Sequence, residues 1–156
     1  MSITENETGN VLPSLRDPVF QTWISPLGED SPCGEDISFS DEFESLKEEA
    51  EKEGSLHGGR STDWALVLRM ASRILADRSK DLWVLCYGVV AAYETQGPVS
   101  CAAALSALAC LLHEHWDDLH PGTARIQRRI APLAWLAKRL ESRFSSLEKD
   151  AEQPAI

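Results

Sequence analysis

Several signatures of common protein classes are missing from this sequence. The longest apolar run, residues 99–112, is interrupted by Ser100 and Ser106 and is too short to span a bilayer. No basic segment followed by an apolar one marks a secretory signal peptide at the start of the chain. Basic residues are scarce, with 15 Lys and Arg against 25 Asp and Glu, which gives a net charge of −10. This balance argues against nucleic acid and anionic membranes as partners.

The motifs of familiar catalytic sites are also missing. The sequence has no P-loop, no GxGxxG fingerprint and no Ser-His-Asp arrangement. None of its four cysteines forms a CxxC pair, and three lie among apolar residues in helical patterns; the four are Cys33, Cys86, Cys101 and Cys110. They are predicted to be buried free thiols in a reducing compartment, so we expect a cytoplasmic protein.

Apolar residues at helical spacing, by contrast, are abundant. Almost no stretch alternates with a period of two, so strands are not expected. The helix from Pro98 to about Asp118 is apolar on nearly every side, which predicts that it is the central one. The predicted helix starts are Asp17, Ser40, Ser61 or Thr62, Ser79, Pro98 and Thr123.

These elements predict an all-α fold, a single helical bundle domain of about five to six helices. The length of 156 residues and the apolar share of 43% suit one core of this size. Residues 1–16 are expected to be a flexible, disordered tail, 17–145 the helical domain, and 146–156 the start of a linker or tail. Pro132 is expected to kink or restart the last helix.

The segment HEHWDDLH, residues 113–120, is the candidate metal site of the chain. If a helix continued through it, His113, Asp117 and His120 would lie on one face. Two imidazoles and a carboxylate could then bind zinc, as in a zinc-dependent hydrolase.

The alternative for the same segment is the polar end of a structural helix. Histidine at a helix C-terminus can donate to free carbonyl groups, and Trp116 and Leu119 would anchor this end in the core. The proline after His120 biases that residue away from helical geometry and would move it off the shared face. We favour this interpretation, with no metal, no cofactor and no catalysis.

Two further polar segments are predicted to be structural corners. In RSKDL, residues 78–82, Ser79 is the predicted N-cap of the helix that follows. In PCGED, residues 32–36, Cys33 could act as a nucleophile, but the neighbouring acids would raise the pKa of its thiol. A tight turn in which Gly34 adopts a positive φ is the favoured interpretation.

The last predicted helix is the basic element of this acidic chain. An exposed basic stripe on such a helix would suit an acidic surface of a partner. The residues proposed for partner binding are Arg125, Arg128, Arg129 and Arg139.

The order and spacing of these segments resemble the ImpA-type N-terminal domain of TssA proteins, which are components of the bacterial type VI secretion system. The resemblance covers residues 17 to about 140 and rests on PCGED, RSKDL and W-D-x-L-H-P, separated by helical spacers. The residues that carry it are Pro32, Cys33, Gly34, Glu35, Asp36, Arg78, Ser79, Lys80, Asp81, Leu82, Trp116, Asp117, Leu119, His120 and Pro121.

The resemblance implies a cytoplasmic, all-helical interaction module without catalysis. Such a module would bind baseplate, sheath or tube subunits while the apparatus assembles. Self-association is also implied, through C-terminal regions that this chain lacks. The family more often has other residues at the positions of His113 and His115, which weakens the zinc-hydrolase alternative.

Overall fold

The structure is a computed structural model that describes residues 17–54 and 61–152. Within those ranges it contains α-helices, one short 3₁₀ turn at Lys52–Gly54 and no strand. The all-α bundle predicted from the sequence is confirmed, whereas the predicted tail, residues 1–16, lies outside the described residues. The α-helices are α1 (Pro18–Ile24), α2 (Asp41–Ala50), α3 (Trp64–Asp77), α4 (Leu82–Gln96), α5 (Pro98–Glu114) and α6 (Gln127–Glu152).

The central helix is α4, and the prediction that α5 would be central is wrong. α4 packs against α2, α3, α5 and α6, and 10 of its 15 residues are buried. α5 packs against α4 and α1 only and leaves Val99, Ala102 and Ala109 exposed. A helix that is apolar on every side is therefore not always buried on every side. In α5, small residues allow close packing on one face, while the opposite face is exposed to solvent.

Three of the predicted helix starts agree with the structure. The carboxylate of Asp17 accepts from the backbone N–H of Val19 at 2.9 Å, and Pro18 occupies the first turn of α1. The hydroxyl of Ser40 accepts from the N–H of Phe43 at 3.1 Å. α5 begins at Pro98 as predicted. Each start leaves fewer backbone donors unpaired.

Two predicted caps are wrong. The N-cap of α3 is Asp63, whose carboxylate accepts from the N–H of Leu66, and not Ser61 or Thr62. The N-cap of α4 is Asp81 and not Ser79, because Ser79 belongs to a β-bridge that precedes the helix.

The helix boundaries near the C-terminus also differ from the expectation. α5 ends at Glu114, short of Asp118, and α6 begins at Gln127 instead of Thr123. Pro132 lies inside α6 without interrupting it, and the helix continues past position 145 to Glu152. Pro132 is close enough to the start of the helix that it removes only an early backbone hydrogen bond.

A fully buried tryptophan, Trp23, docks α1 on the bundle. Its indole N–H donates to Ser72 Oγ on α3 at 3.1 Å. Its ring lies so close to α4 that a Cβ added at Gly88 would come within 2.6 Å of it. Trp116, which was expected to anchor the end of α5, is by contrast 43% exposed.

Candidate functional site: the motif junction and the aromatic groove

PCGED and RSKDL meet as two short antiparallel backbone segments. The N–H of Lys80 donates to the carbonyl of Cys33 at 2.8 Å, and the N–H of Glu35 donates to the carbonyl of Arg78 at 3.2 Å. Gly34 and Ser79 are the bridged pair. These bonds attach the N-terminal segment to the bundle.

The third motif joins RSKDL on its other side. His120 and Asp81 form a parallel bridge: the N–H of His120 donates to Lys80 O at 3.2 Å, and the N–H of Leu82 donates to His120 O at 2.7 Å. The His120 ring also hydrogen-bonds through Nε2 to the carbonyl of Gly34 at 2.9 Å. We call this meeting of residues 32–36, 78–82 and 116–121 the motif junction.

Gly34 is the residue that permits the close approach in the motif junction. Its φ is +72°, in the left-handed region, as predicted from the sequence. A Cβ at this position would lie 2.2 Å from the carbonyl oxygen of Arg78. Any side chain would therefore push the two bridged segments apart.

Lys80 is buried and binds backbone carbonyls instead of a carboxylate. Its side chain is 1% exposed, and Nζ donates to Thr22 O at 3.0 Å and to Leu75 O at 2.5 Å. These carbonyls lie in the last turns of α1 and α3, where they lack helical partners. Burial lowers the pKa of Lys80 to about 8. Lys80 thus caps two helices at once, a role that the sequence reasoning missed.

Arg129 caps the connection between α5 and α6 in the same manner. Its guanidinium donates to the carbonyls of Trp116 at 2.5 Å, Leu119 at 2.8 Å and Pro121 at 2.8 Å, and it stacks over the Trp116 ring. At 1% exposure it cannot belong to a binding surface. Its assignment to the partner-binding stripe is corrected for that reason.

Arg78 links the motif junction to α2 on the solvent side. Its guanidinium pairs with Glu35 at 2.6 Å and with Glu42 at 2.8 Å. The hydrogen bond to Glu35 raises the pKa of Arg78 further. Because the pair is exposed, we expect its contribution to stability to be small.

The zinc hypothesis has no support in this geometry. α5 ends before Asp117, so His113, Asp117 and His120 do not share a helical face. No group of three or more His, Cys, Asp or Glu that could hold a metal occurs in residues 17–54 and 61–152. The anchoring prediction is half right, because Leu119 is buried but Trp116 is not.

The cysteines carry no sign of reactivity. All four are free; Cys33, Cys86 and Cys101 are buried, and Cys110 is half-buried. Burial, with the charge of Asp118 adding to it, raises the pKa of Cys33 to about 11. A thiol in that state is a poor nucleophile.

A groove lies beside the motif junction, between α2 and the first turns of α4 and α6. Its volume is about 560 Å³. Phe39, Phe43, Trp83 and Tyr87 supply aromatic walls, and Trp83 and Tyr87 rest on Trp135 of α6. The lining residues of this aromatic groove are Asp36, Ser38, Phe39, Phe43, Lys47, Glu51, Asp81, Trp83, Tyr87, Pro121, Gln127, Arg128 and Ala131.

Asp81 belongs to both the motif junction and the aromatic groove. Its Oδ1 accepts from the N–H groups of Trp83 at 2.8 Å and Val84 at 3.2 Å, which caps α4. The side chain is 3% exposed, and burial raises the pKa of Asp81 to about 6, although the two hydrogen bonds oppose the rise. Within the described ranges it forms no ion pair at all.

The remaining residues of the proposed basic stripe lie along α6 and the loop before it. Arg125 and Arg128 are exposed, and Arg128 also lines the aromatic groove. Arg139 is half-exposed and lies over the Trp135 ring, with 5.4 Å between its guanidinium carbon and the ring centroid. These three stay candidates for partner contacts.

No helix within the described ranges has both the length and the apolar composition needed to cross a membrane. Together, the helices form an all-helical domain in which three polar motifs join the helices through backbone hydrogen bonds.

Comparison with known protein families identifies the family of this chain. The family described as "ImpA, N-terminal, type VI secretion system" matches residues 24–138. The chain therefore belongs to the ImpA N-terminal family of the type VI secretion system. The resemblance to TssA recognised in the sequence is confirmed.

A solved structure is similar to this chain. It is the N-terminal domain, including the conserved ImpA_N region, of the TssA component of the type VI secretion system from Burkholderia cenocepacia. The TM-score is 0.68 at 28% identity, and the match covers 79% of this chain and 48% of the other, so it spans about half the length of that solved domain. No curated protein sequence matches.

Proposed function

We propose that this domain is a non-enzymatic interaction module of a TssA-like protein, and that it binds baseplate, sheath or tube subunits in the cytoplasm during assembly of the secretion apparatus. Family membership supports a structural role. The observation that carries the proposal is how the buried cations are used: Lys80 in the motif junction and Arg129 beside it donate to backbone carbonyls, so both have their partners inside the fold.

The surface available for a partner is the side formed by the aromatic groove and the basic stripe. Phe39, at 99% exposure, projects into solvent beside the groove, and Arg125 and Arg128 extend the surface onto the loop and α6. Exposed aromatic and arginine side chains are the residue types enriched at protein interfaces. A rigid bundle that presents such residues fits a module whose activity is binding.

The proposal is tested by co-purification of this domain with individual baseplate, sheath and tube subunits. Arg125→Glu should reduce recovery of the true partner severalfold at low salt and less at high salt, since salt screens exposed charges. Lys149→Glu, the same charge change at the far end of α6, is the matched control and should leave recovery unchanged. Failure of every apparatus subunit to co-purify with the unaltered domain would refute the proposal.

A further inference from the structure

We infer that the aromatic groove receives one basic side chain, arginine or lysine, from an apolar segment of the partner, and that the cation pairs with Asp81. The inference rests on the proposed function, because it names the chemistry of the partner at that surface. The basic side chain is inferred from charge complementarity with the carboxylates that line the groove.

The first argument is the unpaired carboxylate of Asp81 in the groove wall. Both of its backbone hydrogen bonds go to Oδ1, and no ion pair of the described residues includes it. The charge of His120 lowers the pKa of Asp81, but burial outweighs it. A buried carboxylate without a cationic partner is unfavourable. A cation delivered by another protein would offset that cost. Pairing with a basic side chain should therefore stabilise the buried carboxylate of Asp81 more than it would stabilise an exposed carboxylate.

The second argument is the aromatic lining. The groove that Asp81 lines is also lined by four aromatic residues, Phe39, Phe43, Trp83 and Tyr87. A guanidinium or ammonium group is attracted to the face of such rings, and the aliphatic stem of arginine or lysine covers apolar surface. Phe39 has no packing role of its own at 99% exposure, which suits a residue that closes over an incoming chain.

The third argument is the distribution of charge in the groove. Asp36 and Glu51 join Asp81, so three carboxylates line it against two cations, Lys47 and Arg128. The hydrogen bond from the Ser38 N–H lowers the pKa of Asp36, which keeps that carboxylate charged. Lys47 and Arg128 are both exposed, whereas Asp81 is buried. The interior of the groove therefore favours a cation, and acidic flanking residues would suit its rim.

The test is a nuclear magnetic resonance titration of the full chain, labelled with nitrogen-15, with the peptide Ac-Ser-Leu-Arg-Leu-Ser-NH2 and its Gln and Glu analogues. We expect shifts centred on the backbone amides of Trp83 and Val84 and on the Trp83 indole. The arginine peptide should bind about tenfold more tightly than the glutamine peptide, as expected for pairing of a desolvated charge. Phe39→Ala should weaken the arginine peptide more than the glutamine peptide, because it removes one of the aromatic faces that attract the cation.

The matched pair of variants is Asp81→Asn and Asp63→Asn. Each replaces an N-cap aspartate by a residue that still caps a helix, but only position 81 lines the groove. Asp81→Asn should reduce the preference for arginine to about twofold or less, and Asp63→Asn should preserve it. Backbone spectra of both variants confirm that the fold is intact.

Several outcomes would overturn the inference. These are tighter binding of the glutamate peptide, equal binding of all three, an arginine preference that survives in Asp81→Asn, and shifts confined to other surfaces. Groove resonances that move on dilution of the free protein would show that a second copy occupies the groove. If apparatus subunits still co-purify with the domain in any of these cases, the proposed function stands and only the inferred partner chemistry is wrong.

Discussion

The motif junction and the aromatic groove lie side by side, yet they use buried charge in opposite ways. At the motif junction, Lys80 and the adjacent Arg129 of α6 direct their donors at backbone carbonyls of the same chain, so both charges have their partners inside the fold. Asp81, which the two regions share, lines the groove without an ion pair among the described residues, and Phe39 is left in solvent. The comparison shows that the polar motifs of the junction mainly hold the backbone segments together. The groups that are free to bind a partner lie in the groove, where the described part of the fold supplies no ion pair for Asp81 and no packing for Phe39.

The largest expected effect comes from breaking the motif junction at Gly34. Gly34→Ala should lower the free energy of unfolding by about 3 kcal/mol, since it adds left-handed strain and a backbone collision. Gly28→Ala, in the same loop with its nearest neighbouring atom at 3.8 Å, is the control and should change stability by less than about 1 kcal/mol. Urea denaturation measures both, and equal losses would show that Gly34 is not the tight contact.

A second prediction separates buried from exposed cations. Lys80→Met should cost about 2 to 3 kcal/mol, since it leaves two helix-end carbonyls without their donor. Arg78→Met, which breaks only exposed ion pairs, should cost less than about 1 kcal/mol. Thermal and urea unfolding of the two variants give the comparison, and a reversed order would contradict the capping role of Lys80.

A third prediction concerns pH and Asp81. Because its pKa in the folded protein is about 6, above the ordinary 3.8, the folded state binds the proton more tightly than the unfolded state. The resulting stability is present below about pH 4 and is lost as the pH rises through 6, a change of roughly 2 to 3 kcal/mol. Asp81→Asn should lack this component, and Asp63→Asn should retain it. Urea denaturation between pH 4 and pH 7 tests the difference, and identical profiles for all three proteins would refute it.

The smallest expected effect is that of Phe39→Ala on stability. Since the side chain is 99% exposed, its removal should change the free energy of unfolding by no more than about 0.5 kcal/mol. Urea denaturation measures this value. A loss above about 1 kcal/mol would mean that Phe39 packs within the domain and is not free for a partner.

Much of the fold could be predicted from the sequence because local signals agree with the final structure. The apolar spacing identified the helices, Asp17 and Ser40 cap the helices that they were expected to cap, and Gly34 has the predicted positive φ. These features depend on interactions over a few residues. They therefore depend little on how distant parts of the chain are arranged.

The errors arose where distant segments decide the outcome. Ser79 and Asp81 are both acceptable N-caps, and the choice between them depends on the bridge from Ser79 to Gly34, which lies far away in the sequence. Arg129 could not be distinguished from Arg125 and Arg128, because its partners are carbonyls of the preceding loop. The aromatic groove was likewise invisible, since α2, α4 and α6 each supply only part of it.

The shared cation at Lys80 has a consequence for how the domain opens. Because one ammonium group serves the ends of both α1 and α3, a short helix of 7 residues is tied to a helix of 14 residues. α1 should then exchange its amide hydrogens together with α3 in one cooperative unit, instead of fraying as an isolated terminal turn would.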